Sequence, residues 1–133
     1  MIKTVDILIT VNKKKIILIK RAKEPFMDKL VLPGGHVEKD EDLETACCRE
    51  AKEEIGFLVY PSELEKLIVL DSLKRDPRPG KRISTVFHVD LLDESRLENC
   101  QAESDALAIE IRDIKNISPE MIGFDHFRAL EKI

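Results

Sequence analysis

The order of its segments predicts an α/β chain in which a mixed β-sheet lies between helices, an α/β/α sandwich. Two features carry that expectation. Short runs rich in Ile, Leu and Val recur along the chain, separated by clusters of Lys, Asn, Pro, Gly and acids. Among them lie one stretch of helix formers without Gly or Pro, residues 42–55, and a helix-start signal near the end, Ser118-Pro119-Glu120.

Taken in order, residues 5–11 and 16–20 read as strands joined by the polar turn Asn12-Lys13-Lys14-Lys15. Ile16-Ile17-Leu18-Ile19 is apolar at every position, as in a central strand covered on both faces. A loop over 23–29 contains Pro25 and leads into Leu32-Pro33-Gly34-Gly35, where Pro and paired Gly break regular structure and let backbone approach a ligand closely. The helix over 42–55 has acids clustered at its start, where the dipole favours them, and Gly56 follows as a cap. Residues 57–60 read as a short strand, and 67–73 and 83–92 as longer ones. Between the longer strands an exposed loop, 74–82, holds Pro77, Pro79 and Gly80. A polar loop over 93–105 precedes a short strand at 106–111. A terminal helix is expected from Pro119 to about Lys132, with Phe124, Phe127 and Leu130 on its core face. No repeat or linker interrupts the chain, so 1–133 is expected to form one domain.

Composition excludes several classes. With 26 acidic against 22 basic side chains the net charge is −4, the wrong sign for a general nucleic-acid binder, which needs Lys and Arg facing phosphates. An anionic substrate stays open, because a bound metal can invert the local field. Of 3 cysteines, Cys47 and Cys48 are adjacent and no Cys-x-x-Cys pair occurs, which suits reduced thiols in the cytoplasm better than a disulfide framework or a zinc site. The apolar N-terminus is interrupted by Lys3 and Asp6 and lacks a cleavage signal. No apolar run approaches the ~20 residues of a membrane span.

The helix carries the chemistry. At ~100° per residue, Leu43, Ala46 and Cys47 share a face that continues into Glu50 and Glu54, with Glu53 at its edge. Glutamates at i and i+4 repel one another, and carboxylates on the continuation of a core stripe are partly desolvated. A hard divalent cation that accepts carboxylate and phosphate oxygens relieves both costs. On its own such a stripe more often marks a solvated acidic helix whose core contact ends before Glu50. The glycine pair just upstream shifts the reading toward a site.

Gly35, five residues, Glu41, seven residues, then Arg49-Glu50-Ala51-Lys52-Glu53-Glu54-Ile55-Gly56-Phe57 resembles the Nudix box, G-x5-E-x7-R-E-U-x-E-E-x-G-U with U apolar, at every fixed position. Leu32-Pro33-Gly34-Gly35-His36-Val37-Glu38 resembles its usual lead-in. Two departures lie outside the fixed positions: Asp40 stands where relatives often carry Gly, and Leu30 where many place Trp.

The resemblance implies a Nudix-type sandwich and a Mg²⁺-dependent hydrolase, with Mn²⁺ as a substitute. By that resemblance Glu50 and Glu54 are the main metal ligands, Glu53 holds a second ion or a water, and the Gly35 carbonyl completes the coordination. Arg49 orients a catalytic glutamate through a charge-assisted hydrogen bond. Glu41 fixes the turn into the helix and Gly56 ends it. The general base is Glu53, Glu103 or Asp105, in that order of preference. The metal polarises phosphoryl oxygens and helps form hydroxide.

Arg75-Asp76-Pro77-Arg78, followed by Pro79-Gly80-Lys81-Arg82, resembles the "RDPRG" loop of small ADP-ribose pyrophosphatases in this family, with Pro79 inserted. Lys20-Arg21 and Glu24-Pro25-Phe26 resemble the same subgroup. Arg21, Arg75, Arg78 and Arg82 are therefore the candidate phosphate ligands, beside the backbone of Gly34 and Gly35. The alternative is an ordinary solvated basic loop. Phe26, Phe87 and Tyr60 are the aromatic candidates for an adenine neighbour, and each fits a core place better. His36 is placed to approach phosphate or to bond within its loop. His88 and His126 read as structural, and Cys47 as a packing residue.

The leading expectation is hydrolysis of ADP-ribose to AMP and ribose 5-phosphate. The enzymatic alternative is a pyrophosphatase for oxidised nucleoside triphosphates or other nucleotide sugars. A further alternative is a sensor that binds ADP-ribose without cleaving it. Sensors that regulate transcription carry a DNA-binding extension and tend to lose box glutamates; here every box glutamate is present and no such extension is expected. The resemblance also admits a homodimer. No membrane or nucleic-acid partner is expected.

Overall fold

The computed structural model describes residues 1–103 and 106–133. Its strands are β1 (Ile2–Val11), β2 (Lys15–Arg21), β3 (Leu30–Val31), β4 (Gly34–His36), β5 (Glu65–Leu70), β6 (Arg82–Leu91) and β7 (Ala106–Asp113); its helices are α1 (Leu43–Ile55) and α2 (Phe127–Leu130). The strands form one 7-stranded sheet in the order β3-β2-β1-β6-β5, with β4 also paired to β1 and β7 to β2. β1 runs parallel to β6, while its pairings with β2 and β4 are antiparallel, so the sheet is mixed. This is the expected α/β class, a mixed sheet with helices.

Strand alternation divides the core in two. Val5, Ile7, Ile9 and Val11 of β1 face α1 and pack against Ala46, Cys47, Ala51 and Ile55. Leu8 of β1, with Ile16 and Leu18 of β2, packs on the other face against Ile122, Ala129 and Leu130. Ile16 to Ile19 are all buried, as a strand covered on both sides requires. Each such side chain contributes roughly 1.5–3 kcal/mol by leaving water.

Three elements differ from the sequence reading. The Gly34-Gly35 segment is a strand, paired in register Asp6↔Gly34 and Val5↔Gly35, rather than a loop. Residues 57–60 are not a strand: Phe57 and Val59 are buried and Leu58 and Tyr60 exposed, so the alternation is real, but it packs on the α1 face of the core. The long terminal helix is absent. Pro119 opens only a 3-10 turn, Pro119–Met121. Ile122 then bridges to Leu30, the Gly123 amide donates to the Leu30 carbonyl at 2.8 Å, and Phe124 takes φ +52°. Tertiary pairing therefore overrides helix propensity, and the helix is confined to Phe127–Leu130. Among the described residues no helix is long and apolar enough to cross a membrane.

Candidate active site

The N-terminus of α1 is built by local hydrogen bonds. Asp42 caps it, its carboxylate accepting from the Thr45 amide at 2.8 Å. Asp40 holds φ +64°, the left-handed geometry that favours Gly, which matches the residue relatives often place there. At the other end Gly56 takes φ +70° and its amide bonds back to the carbonyls of Ala51 and Lys52.

The buried stripe of α1 is Ala46, Cys47, Ala51 and Ile55. It veers away from Glu50 and Glu54, which lie at its margin rather than on its continuation. Glu50 is still poorly hydrated, with 15% of its side chain exposed, against 56% for Glu53. Its carboxylate occupies the space beside Gly35 that a side chain there would fill, so a Cβ built on Gly35 overlaps it. Gly34 is confined in the same way, against the Val5 carbonyl and the Asp6 carboxylate. These glycines are required by close approach, not by a positive φ.

Arg49 organises this acidic end. Its Nε and Nη2 donate to the two oxygens of Glu41 at 2.8 and 2.9 Å. Nη1 donates to Glu50 at 2.7 Å and to Glu53 at 3.2 Å, and Nη2 also reaches the His36 carbonyl at 2.9 Å. Glu41 additionally accepts from the Glu38 amide at 2.9 Å. The Arg49 fork, then that amide, hold the Glu41 carboxyl down to about 2. Glu50 moves the opposite way: burial pushes its carboxyl up, and pairing with Arg49 only partly offsets this.

The cleft continues past Gly34 and Gly35 to a basic end, as one cavity of about 450 Å³. Glu50, Glu53, Glu54 and Arg49 line one side; Arg21, Arg75, Arg78 and Arg82 line the other, with Asp6, Asp76, Phe124 and His126 between or beneath them. Arg78 is tied to Asp76 through Nε at 3.0 Å and Nη2 at 2.6 Å. Arg82 Nε lies 3.8 Å from the same carboxylate and is the buried side-chain nitrogen that makes no hydrogen bond among the described residues. Burial would raise Asp76, but Arg78 and Arg82 outweigh it and hold the carboxyl below its usual range. Arg21 donates from Nε to the Pro25 carbonyl at 2.6 Å.

Beneath the glycines lies a buried polar group. Asp6 of β1 bonds to the Ser84 hydroxyl and faces His126 Nε2 at 3.4 Å, while His126 Nδ1 accepts from the Leu32 amide at 3.0 Å. Burial pushes Asp6 up, yet His126, Ser84 and Arg75 together bring it below its ordinary value.

The structure thus gathers most of the residues singled out from sequence, and separates others. Arg75 lines the cleft but spends its guanidinium on Asp125, with 4% of its side chain exposed. Glu103 stands outside the cavity lining; its amide bonds to the Glu54 carbonyl and its carboxylate accepts from Gln101. Asp105 lies outside the described residues. Phe87 is buried, Tyr60 is exposed away from the cleft, and Phe26 packs against Phe124. Cys47 is buried and its thiol is pushed far up by desolvation, which fits packing rather than nucleophilic attack. The sequence reading missed Asp6 and Asp76; His126 is structural as expected, buried and bonded to the Leu32 amide, and Phe124 packs against the core as expected while also lining the cleft. The available signal for Asp6 was a lone acid inside an apolar strand.

The chemistry of the acidic end suits a hard divalent cation: carboxylates, one of them poorly hydrated, beside a glycine strand. Among the described residues no three potential ligands are gathered tightly enough to hold an ion as they stand. Glu50 and Glu53 instead share the Arg49 Nη1 as donor.

The NUDIX domain matches residues 2–132. An ADP-ribose pyrophosphatase of Methanocaldococcus jannaschii is 39% identical over 117 residues, 88% of this chain and 64% of that protein. The chain therefore spans just under two-thirds of that relative's length. A bifunctional NMN adenylyltransferase/ADP ribose pyrophosphatase of Francisella tularensis, solved with AMP and a Mn ion, is similar at TM-score 0.82 and 30% identity, covering 98% of this chain and 40% of that one. The NUDIX domain of Shewanella oneidensis NrtR, solved with ADP ribose, is similar at TM-score 0.80 and 24% identity, covering 98% and 84%; at that identity the likeness is one of fold.

Proposed function

The chain belongs to the NUDIX domain family, and from that membership we propose that it is a divalent-metal-dependent hydrolase of ADP-ribose, yielding AMP and ribose 5-phosphate. One observation carries the reading: a single cavity of about 450 Å³ joins the α1 carboxylates to Arg21, Arg78 and Arg82. That size suits a nucleotide-sized ligand, and the two ends suit a diphosphate, which needs cations on its oxygens from both sides. The Methanocaldococcus jannaschii relative named ADP-ribose pyrophosphatase supports the choice of substrate.

Glu50 and Glu54 would hold the ion, Mg²⁺ or Mn²⁺, with Glu53 and the Gly35 carbonyl beside them. When bound, the ion polarises phosphoryl oxygens and lowers the pKa of water. Arg49 ties Glu50, which lies against Gly35, to Glu53, and Glu41 fixes Arg49. Glu53, which Arg49 touches at 3.2 Å and which lines the cleft with 56% of its side chain exposed, takes the proton from the attacking water. The water oxygen bonds to one phosphorus as that phosphorus loses its bond to the bridging oxygen, which leaves on the other phosphate. Arg78 and Arg82 take up phosphate charge at the opposite wall. The free thiols of Cys47, Cys48 and Cys100 support a reducing, cytoplasmic setting.

Steady-state assays with Mg²⁺ across ADP-ribose, an oxidised nucleoside triphosphate and other nucleotide sugars test this. ADP-ribose is expected to show the highest kcat/KM. Turnover of ADP-ribose no faster than the rest would remove the substrate assignment, and no turnover of any would favour a binding role.

A further inference from the structure

Phe124 has no part in the chemistry above, yet two of the cleft's cations meet at its ring. The guanidinium of Arg21, from the end of β2, lies 5.2 Å from the ring centroid. That of Arg78, from the loop between β5 and β6, lies 5.4 Å from the same centroid. Phe26 packs against the ring at 4.7 Å and His126 at 5.4 Å, so two cations and two aromatic rings surround a side chain that also rests against the core on the α1 face. Both phenylalanines hold a left-handed backbone, φ +52° at Phe124 and +63° at Phe26. Bulky residues keep that conformation only where the surroundings over-determine it, and such residues concentrate at working sites.

The neighbours of Phe124 explain why the ring stays there. Asp125 pairs with Arg75, and His126 bonds the Leu32 amide. The segment is tied on one side to the β5–β6 loop and on the other to Leu32, in the link that leads into the glycine strand. Two like-charged guanidiniums on one ring would repel in water. Here the ring's negative face attracts both, and each has a second anchor, Pro25 for Arg21 and Asp76 for Arg78. Stacking fixes the plane of each fork, which bidentate phosphate recognition needs.

We propose that Phe124 is a positioning residue whose ring holds Arg21 and Arg78 as a two-armed clamp for the substrate phosphate lying away from the α1 carboxylates. The clamp rests on the diphosphate reading of the cleft. It acts on binding rather than on bond breaking, so its loss raises KM and leaves kcat almost unchanged.

The test pairs two measurements on Phe124→Leu, Phe124→Tyr and Arg78→Lys. Calorimetric titration with inorganic pyrophosphate, divalent ions chelated, reads the clamp without turnover; steady-state kinetics with ADP-ribose and Mg²⁺ read it in the reaction. Loss of two cation–π contacts predicts that Phe124→Leu weakens pyrophosphate and raises KM by about 5- to 30-fold. Phe124→Tyr restores both, and Arg78→Lys, which keeps the charge but loses the stacked fork, reproduces the loss. Wild-type protein that ignores pyrophosphate, or Phe124→Leu that binds it normally or loses kcat instead of KM, overturns the clamp. If Phe124→Leu does not fold, Arg78→Lys decides alone: titration like wild type sinks the proposal. Pyrophosphate binding that weakens as expected in a protein inert toward ADP-ribose would remove the substrate assignment and leave the clamp standing.

Discussion

Replacing Asp125 by Ala asks whether Arg75 serves the fold or the substrate. The two side chains come from positions 50 residues apart and meet through two bonds, Arg75 Nε to Asp125 Oδ2 at 3.0 Å and Nη2 to Oδ1 at 2.8 Å. Only 4% of the Arg75 side chain is exposed, against 15% for Asp125. Removing the carboxylate leaves a guanidinium that cannot regain its water shell. Breaking a buried pair from one side costs about 3–5 kcal/mol, and the residual exposure of Asp125 places the expectation near 3 kcal/mol by the same principle. At roughly 3–5 °C per kcal/mol for a chain of this size, Tm falls by about 10 °C. Urea unfolding followed by far-UV circular dichroism is the assay, since the chain has no Trp and guanidinium salts screen ion pairs. The double variant Arg75→Met/Asp125→Leu is expected to recover much of the loss, because apolar pairs of similar volume often replace buried ion pairs without cost. A loss below about 1 kcal/mol, small against the cost of breaking a buried pair, would refute the reasoning. So would Arg75 variants of normal stability and raised KM, which would return Arg75 to the substrate.

Glu54→Gln keeps the shape of the side chain and removes its charge; turnover is expected to fall by two orders of magnitude or more, given the several kcal/mol a bound ion supplies, with an unchanged urea midpoint. Normal turnover would contradict the metal site. Gly35→Ala places a methyl where the Glu50 carboxylate sits; moving that carboxylate by about 1 Å is expected to lower kcat about 100-fold, and a variant with wild-type kcat would show that Glu50 needs no such closeness. Glu41 has a folded-state carboxyl held to about 2 against an ordinary 4.5. Its contribution to stability is therefore complete above 4.5 and is lost as pH falls from there toward 2. Thermal midpoints of Glu41→Gln followed across that window should show a flatter acid slope than wild type, and parallel curves would count against the Arg49 pairing.

The acidic end of the cleft was readable because its parts are local. Glu50, Glu53 and Glu54 share one helix, Arg49 precedes Glu50 directly, and Glu41 lies one loop upstream, so spacing alone brings them together. The basic end is assembled from β2, the β5–β6 loop and the C-terminal segment, and nothing in local spacing says which arginine faces the cleft and which is spent on an internal carboxylate. Arg75 and Arg78 sit in one short motif and look alike in sequence. Asp125 takes the first into the fold, and Asp76 leaves the second partly exposed. The helix expected around Phe124 failed for a related reason, although the ring does pack against the core. Residues 118–132 carry helix formers and an apolar period, but the Leu30 carbonyl captures the Gly123 amide and ends any helix there. Pairing to a distant strand is invisible to a window along the chain.

This division has a consequence for how substitutions act. On α1 Glu50 and Glu53 are held by one cation, Arg49, whose side chain is 22% exposed, and Glu53 keeps 56% of its own side chain exposed, so altering Glu53 disturbs little that keeps the sheet and helix together. The cations of the opposite wall are held by Asp76, Asp125 and the Phe124 ring, and the same groups fasten the C-terminal segment over the core that contains Leu30 and Ile122. Activity and stability should therefore separate cleanly at the acidic end and fall together at the basic end. The cause is electrostatic. A carboxylate at the edge of a helix can exchange protein for water, while a guanidinium with 4% of its surface exposed cannot lose its partner without strain on the whole segment that brought it there.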